Sequence, residues 1–134
     1  MADVTEEDVA FAFAKAWNRL EPDGFLALLS TDARYASQWV FEELVGVSAI
    51  SDYLRGKMRT VRAHSVNDPT SRVRVEIGRT VQGNDGRPCA FMTQGNGDEV
   101  QAAVLFEVSG GRVSRYDLCI PQVIGAVRTG VFPV

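Results

Sequence analysis

The sequence predicts a single α+β domain in which three N-terminal helices pack on a curved, mainly antiparallel sheet. Three observations predict it. An apolar stripe with helical period runs from Val9 to Leu20. A helix end, a short hairpin and a new helix follow one another between Leu26 and Leu54. Period-two alternation broken by three turn clusters then occupies residues 72–120. Helices followed by a meander place the helices on one face of the sheet, and strong curvature would turn that sheet into a cone.

The chain of 134 residues has the size of one domain and can bury about two thirds of the surface its unfolded form exposes. Hydrophobic residues at 46% and charged residues at 23% place it among globular chains rather than disordered or fibrous ones. Fourteen Lys and Arg against seventeen Asp and Glu, with no basic block, give a nucleic-acid partner no electrostatic support. The start, Met1-Ala2-Asp3-Val4-Thr5-Glu6-Glu7-Asp8, is acidic and polar where a secretion signal is basic and then apolar. No apolar run approaches the ~18–20 residues of a membrane span. The expectation is a soluble, cytoplasmic protein with no membrane partner. Cys89 and Cys119 sit in candidate strands without metal-ligand spacing, and such a compartment keeps them reduced.

Thr5 before Glu6, Glu7 and Asp8 is an N-cap with an acidic first turn, and Thr5 with Asp8 has capping-box spacing. Val9, Phe13, Trp17 and Leu20 fall at i, i+4, i+8 and i+11, while Ala10, Ala12, Ala14 and Ala16 permit close approach. Glu21-Pro22-Asp23-Gly24 breaks this helix. A short second helix is expected over Phe25–Leu29, ended by Ser30-Thr31-Asp32. Arg34 to Val40 reads as a strand, Glu42 and Glu43 as a turn, Leu44 and Val45 as the return. Gly46 leads into a third helix from about Ser48 to Arg62, whose stripe is Ile50, Tyr53, Leu54, Lys57, Met58 and Val61.

A loop around residues 63–71, containing Asp68-Pro69, precedes the meander. Val73, Val75 and Ile77 alternate with Arg72, Arg74 and Glu76, a half-buried strand. Gly83-Asn84-Asp85-Gly86, Gly95-Asn96-Gly97-Asp98 and Ser109-Gly110-Gly111-Arg112 then separate four antiparallel strands. No helix follows the glycine turns, so they are not phosphate loops, and one His with two separated Cys cannot supply a metal's usual ligands. No cofactor and no metal are expected. Residues 121–134 form a tail too apolar to float free, expected to pack on the body or on a partner.

The amphipathic first helix and the turn Pro22-Asp23-Gly24 before Phe25-Leu26-Ala27-Leu28-Leu29 open a recognisable order. Thr31-Asp32-Ala33, then Gly46-Val47-Ser48-Ala49-Ile50 to Tyr53-Leu54, and Phe106-Glu107-Val108 to Gly111-Arg112-Val113 continue it. In these pieces, which run the length of the domain, the chain resembles the nuclear transport factor 2-like (NTF2-like) superfamily, particularly its SnoaL-like polyketide cyclase and ketosteroid isomerase branches. The resemblance implies a cystatin-like cone open at one end and a homodimer formed through the sheet face. It implies a pocket to which the first helix presents Phe13 and Trp17, the hairpin Tyr35 and Trp39, and the third helix Tyr53. With Tyr116, these aromatics either line a cavity or fill the core, and polar tips from Tyr, Trp and Gln94 would suit a flat, mostly apolar small molecule.

The resemblance is to the fold and its pocket, not to a reaction. Where ketosteroid isomerases carry a helix Tyr, a hairpin Asp and a later Asp, this chain has Phe13, about Ser37, and Ala103 or Val104. The carboxylate of limonene-epoxide-hydrolase-like members corresponds to Leu118, and strand alternation turns Asp117 the other way unless a slip or bulge intervenes. Scytalone-dehydratase-like members use two histidines, and His64 is the only one here. Three catalytic candidates remain: Asp32, a general base or a local turn contact; His64, an acid-base group just past the third helix; and Asp117, inward or paired with Arg115. The sequence therefore supports a pocket for a small hydrophobic or aromatic molecule, with acid-base isomerase, cyclase or dehydratase chemistry and a non-catalytic binding or dimerisation module as the alternatives.

Overall fold

The computed structural model describes residues 4–37, 42–68, 72–80, 87–94, 99–119 and 126–134, the side chains of Gln94 and Glu99 excepted. Thr5 caps the first helix, α1 (Glu6–Arg19): its hydroxyl accepts from the Asp8 N–H at 3.1 Å, and the Asp8 carboxylate accepts from the Thr5 N–H at 3.0 Å. The Thr5 backbone and side-chain hydrogen bonds hold the Asp8 carboxyl below the ordinary aspartate value. Of the predicted stripe, Val9, Phe13 and Trp17 are buried together with Ala10, Ala14 and Ala16, while Leu20 is half-buried. Leu20 ends α1 in the left-handed region at φ 56°, and Arg62 donates to its carbonyl at 2.9 Å.

The second helix, α2 (Asp23–Leu26), is one turn and ends earlier than the sequence suggests. So short a helix has little cooperativity to propagate it. The Leu28 carbonyl accepts instead from Val113 N–H at 2.9 Å, and the chain enters β1 (Leu29–Ser37) directly. The return strand β2 (Leu44–Val45) is two residues long. Gly46 stands at φ 98°, a backbone angle side chains resist, and starts α3 (Val47–Asn67). This helix passes the expected end at Arg62 because nothing breaks it before Asp68, which is extended ahead of Pro69.

The four meander strands are β3 (Val73–Thr80), β4 (Pro88–Gln94), β5 (Glu99–Ser109) and β6 (Arg112–Cys119). A further strand, β7 (Ala126–Val131), takes up part of the apolar tail and pairs antiparallel with β3. The seven strands lie in the order β2-β1-β6-β5-β4-β3-β7, antiparallel except for the parallel pair β1–β6. The chain thus has an α+β architecture, three helices packed on one seven-stranded, mostly antiparallel sheet. Bulges interrupt the ladders β4–β5, β5–β6 and β3–β7, and each adds local bend and twist to the sheet. On β6 the register jumps from Arg115 opposite Glu107 to Val113 opposite Val108, so Val113 and Tyr116 both reach the core.

Two polar pins hold the elements together. The Asn18 carboxamide on α1 accepts from the Val75 N–H at 2.7 Å and donates to the Val75 carbonyl at 2.9 Å, copying a strand partner, and it also donates to the Pro133 carbonyl at 2.6 Å. Glu76, 2% exposed, accepts from Arg128 Nε at 2.6 Å and from the Gly130 N–H at 2.5 Å, which fastens the β3–β7 bulge. The main core lies between the helices and the inner sheet face. A smaller cluster of Cys89, Phe91 and Ala103 lies on the other face, where the Phe91 ring covers Gly78 so closely that a Cβ there would fall 2.3 Å from it. Burial pushes the Cys89 thiol up to about 11, and Cys89 and Cys119 are both free thiols. None of the described helices is long and apolar enough to cross a membrane.

Candidate ligand-binding site

Between α1, α3 and the inner sheet face lies a cavity of about 230 Å³. The helical period brings Phe13 and Trp17 of α1 to its wall, and the same spacing on α3 brings Tyr53, Leu54, Lys57 and Val61. The sheet contributes Tyr35 from β1, Val73 from β3, Met92 from β4, and Tyr116 and Leu118 from β6. Tyr35 and Tyr116 are opposite one another in the parallel β1–β6 pair, and their rings stack with centroids 4.5 Å apart. Tyr53 closes on Tyr35 at 5.5 Å, and Phe13 lies 5.9 Å from Tyr116.

The polar atoms of this wall are few. Burial, reinforced by the neighbouring Tyr53, pushes the Tyr35 hydroxyl well above the ordinary phenol value, although its hydrogen bond with Ser37 works the other way. Burial does the same to Tyr116, with Tyr35 and Tyr53 as lesser causes. Both phenols therefore stay neutral near pH 7. The Trp17 Nε1–H is buried and has no hydrogen-bond acceptor among the described residues. Lys57 is exposed at the rim, its ammonium 5.7 Å from the centre of the Tyr53 ring.

Of the residues singled out from the sequence, Phe13, Trp17, Tyr35, Tyr53 and Tyr116 meet around this cavity. Trp39 and the Gln94 side chain lie outside the described residues. The three acid-base candidates are elsewhere. Asp32 is exposed on β1, on the face opposite Ala33 and Tyr35, and accepts from the Ser30 hydroxyl at 3.0 Å. His64 is exposed in the last turn of α3 rather than beyond the helix. Asp117 accepts from Arg115 in a bidentate pair at 2.7 and 3.0 Å, and Arg115 also meets Glu43 at 3.0 Å. The Asp117 hydrogen bonds raise the guanidinium's pKa still further. Leu118, the next residue, takes the position in the cavity.

Lys57, Val61, Val73 and Met92 were not singled out for the site, although Lys57 and Val61 belong to the α3 stripe. A single charge inside an otherwise apolar helical stripe was the signal available. Among the described residues, no group of three His, Cys, Asp or Glu side chains is placed to hold a metal ion.

No protein-family model and no curated protein matches the chain. Solved structures do. An NTF2-like protein of unknown function from Cytophaga hutchinsonii superposes with a TM-score of 0.58 at 11% identity, over 91% of this chain and 95% of its own. A SnoaL-like protein of unknown function from Burkholderia thailandensis gives 0.57 at 18% identity, over 96% and 100%. A proposed ketosteroid isomerase from Kribbella flavida gives 0.56 at 24% identity, over 87% and 77%. Other chains of this fold are described as an epoxide hydrolase, a proposed polyketide cyclase, and a ketosteroid-isomerase-like protein in complex with trimethylamine. The protein has the NTF2-like, SnoaL-like fold, a frame that hosts these different activities and also proteins of unknown function.

Proposed function

We propose that this chain binds a small hydrophobic or aromatic molecule in the cone. The observation that carries the reading is the aromatic wall of Phe13, Trp17, Tyr35, Tyr53 and Tyr116 around a cavity of about 230 Å³ with few polar atoms. Binding is favoured over acid-base catalysis because the described lining residues include no carboxylate and no imidazole to serve as a base near neutral pH. Isothermal titration with 2-naphthol tests it. Saturable binding is expected in the native chain, and Met92→Trp, which fills the cavity, is expected to weaken it by about tenfold or more, roughly 1.4 kcal/mol. Equal binding to both chains, or none to the native one, sinks the reading.

We also propose that two copies associate through the outer sheet face. A groove there is lined by Ala36, Leu105 and Cys119 beside Arg87, Glu107 and Asp117. Both charge signs around an apolar strip suit the self-complementary contact of a two-fold dimer.

A further inference from the structure

Lys57 is the sole formal charge among the described side chains that line the cavity. No described carboxylate joins it there: Asp117, Glu43 and Glu107 are held by Arg115 across the sheet. A cation beside a low-polarity wall is less screened than one in open water, so it attracts an anion and repels a cation. Trp17 adds its ring to the same wall, while its Nε1–H is buried away from the open space and has no acceptor among the described residues. At about 230 Å³ the space lies below the ~300–1,000 Å³ of pockets for drug-sized molecules, which points to one or two rings.

We propose that the pocket selects an anionic ligand, a one- or two-ring aromatic carboxylate, with Lys57 supplying the charge. The inference rests on the ligand-binding reading above. Three probes of similar size separate the possibilities: 2-naphthoate, 2-methylnaphthalene and 2-naphthyl-trimethylammonium, each titrated calorimetrically into the full chain. Naphthoate is expected to bind about tenfold more tightly than methylnaphthalene, and the cation most weakly. Lys57→Met, on the exposed rim of α3, removes the naphthoate advantage over methylnaphthalene. Lys15→Met, the same charge change on the exposed face of α1, leaves that advantage in place.

Equal affinity for naphthoate and methylnaphthalene, or an advantage that survives Lys57→Met, overturns the charge selection. Binding of the hydrocarbon without any preference for the acid leaves the ligand-binding reading standing while this inference fails. Binding of none of the three defeats both.

Discussion

Tyr35 and Tyr116 are buried with phenol pKa values raised above their ordinary 10.0, which couples folding to alkaline pH. The folded chain keeps both protons where the unfolded chain gives them up, so their stabilisation is full below pH 10 and is lost as pH rises through the folded values. Each contributes a slope of about 1.4 kcal/mol per pH unit within that window. Urea unfolding between pH 8 and 12 should show stability falling above pH 10, and Tyr116→Phe should make the fall shallower. An identical slope in the variant would remove Tyr116 as a cause. Cys89, raised by burial from 9.0 to about 11, adds a similar loss that starts one unit lower, so the comparison is best made in a Cys89→Ala background. At this scale the sequence was informative where a side chain's direction follows from local period. The aromatic stripe of α1 follows from it, whereas the face of Asp117 stayed open to a slip or bulge and is decided by the pairing of β6 with β1 and β5. Asp32 was ambiguous because its surroundings depend on where β1 begins, and that is decided by the Leu28–Val113 hydrogen bond from a distant strand.

Elements here are joined by a few directed polar contacts as well as by apolar packing. Asn18 occupies the edge of β3 at Val75, beyond the last β3–β7 pair at Ile77, and satisfies both backbone groups there. Asn18→Leu should therefore destabilise the fold by about 1–3 kcal/mol by leaving a part-buried N–H and carbonyl unpaired. Denaturant unfolding measures this as a lower midpoint with an unchanged slope, and a midpoint equal to the native one would mean that water replaces the amide. α1 and the β3–β6 meander were legible because capping, helical period, alternation and glycine turns are all local signals. The parallel pairing of β1, the early end of the expected α2 and the strand β7 were not, since each is set by a partner far along the chain.

For the molecule as a whole, the two sheet faces have different tasks. The inner one carries the core and the cavity. The outer one holds its own cluster of Cys89, Phe91 and Ala103, with half-buried Leu105 and Cys119 beside it. Light scattering coupled to size-exclusion chromatography should give the mass of two chains for the native protein. Leu105→Glu, which places a carboxylate near Glu107 and Asp117, should shift it to one chain by like-charge repulsion across the two-fold contact. A native protein that runs as a single chain ends the dimer reading.

The stacked pair Tyr35–Tyr116 joins a strand from the first third of the chain to one near its end. Long-range pairings of this kind form late, because the intervening loop must close before any contact offsets its entropy. The meander can zip together through its short turns, whereas the cavity comes into being when β1 docks on β6. During synthesis the wall of the cavity stays incomplete until Tyr116 and Leu118 of β6 have emerged, so the proposed site would be available only once most of the chain is made.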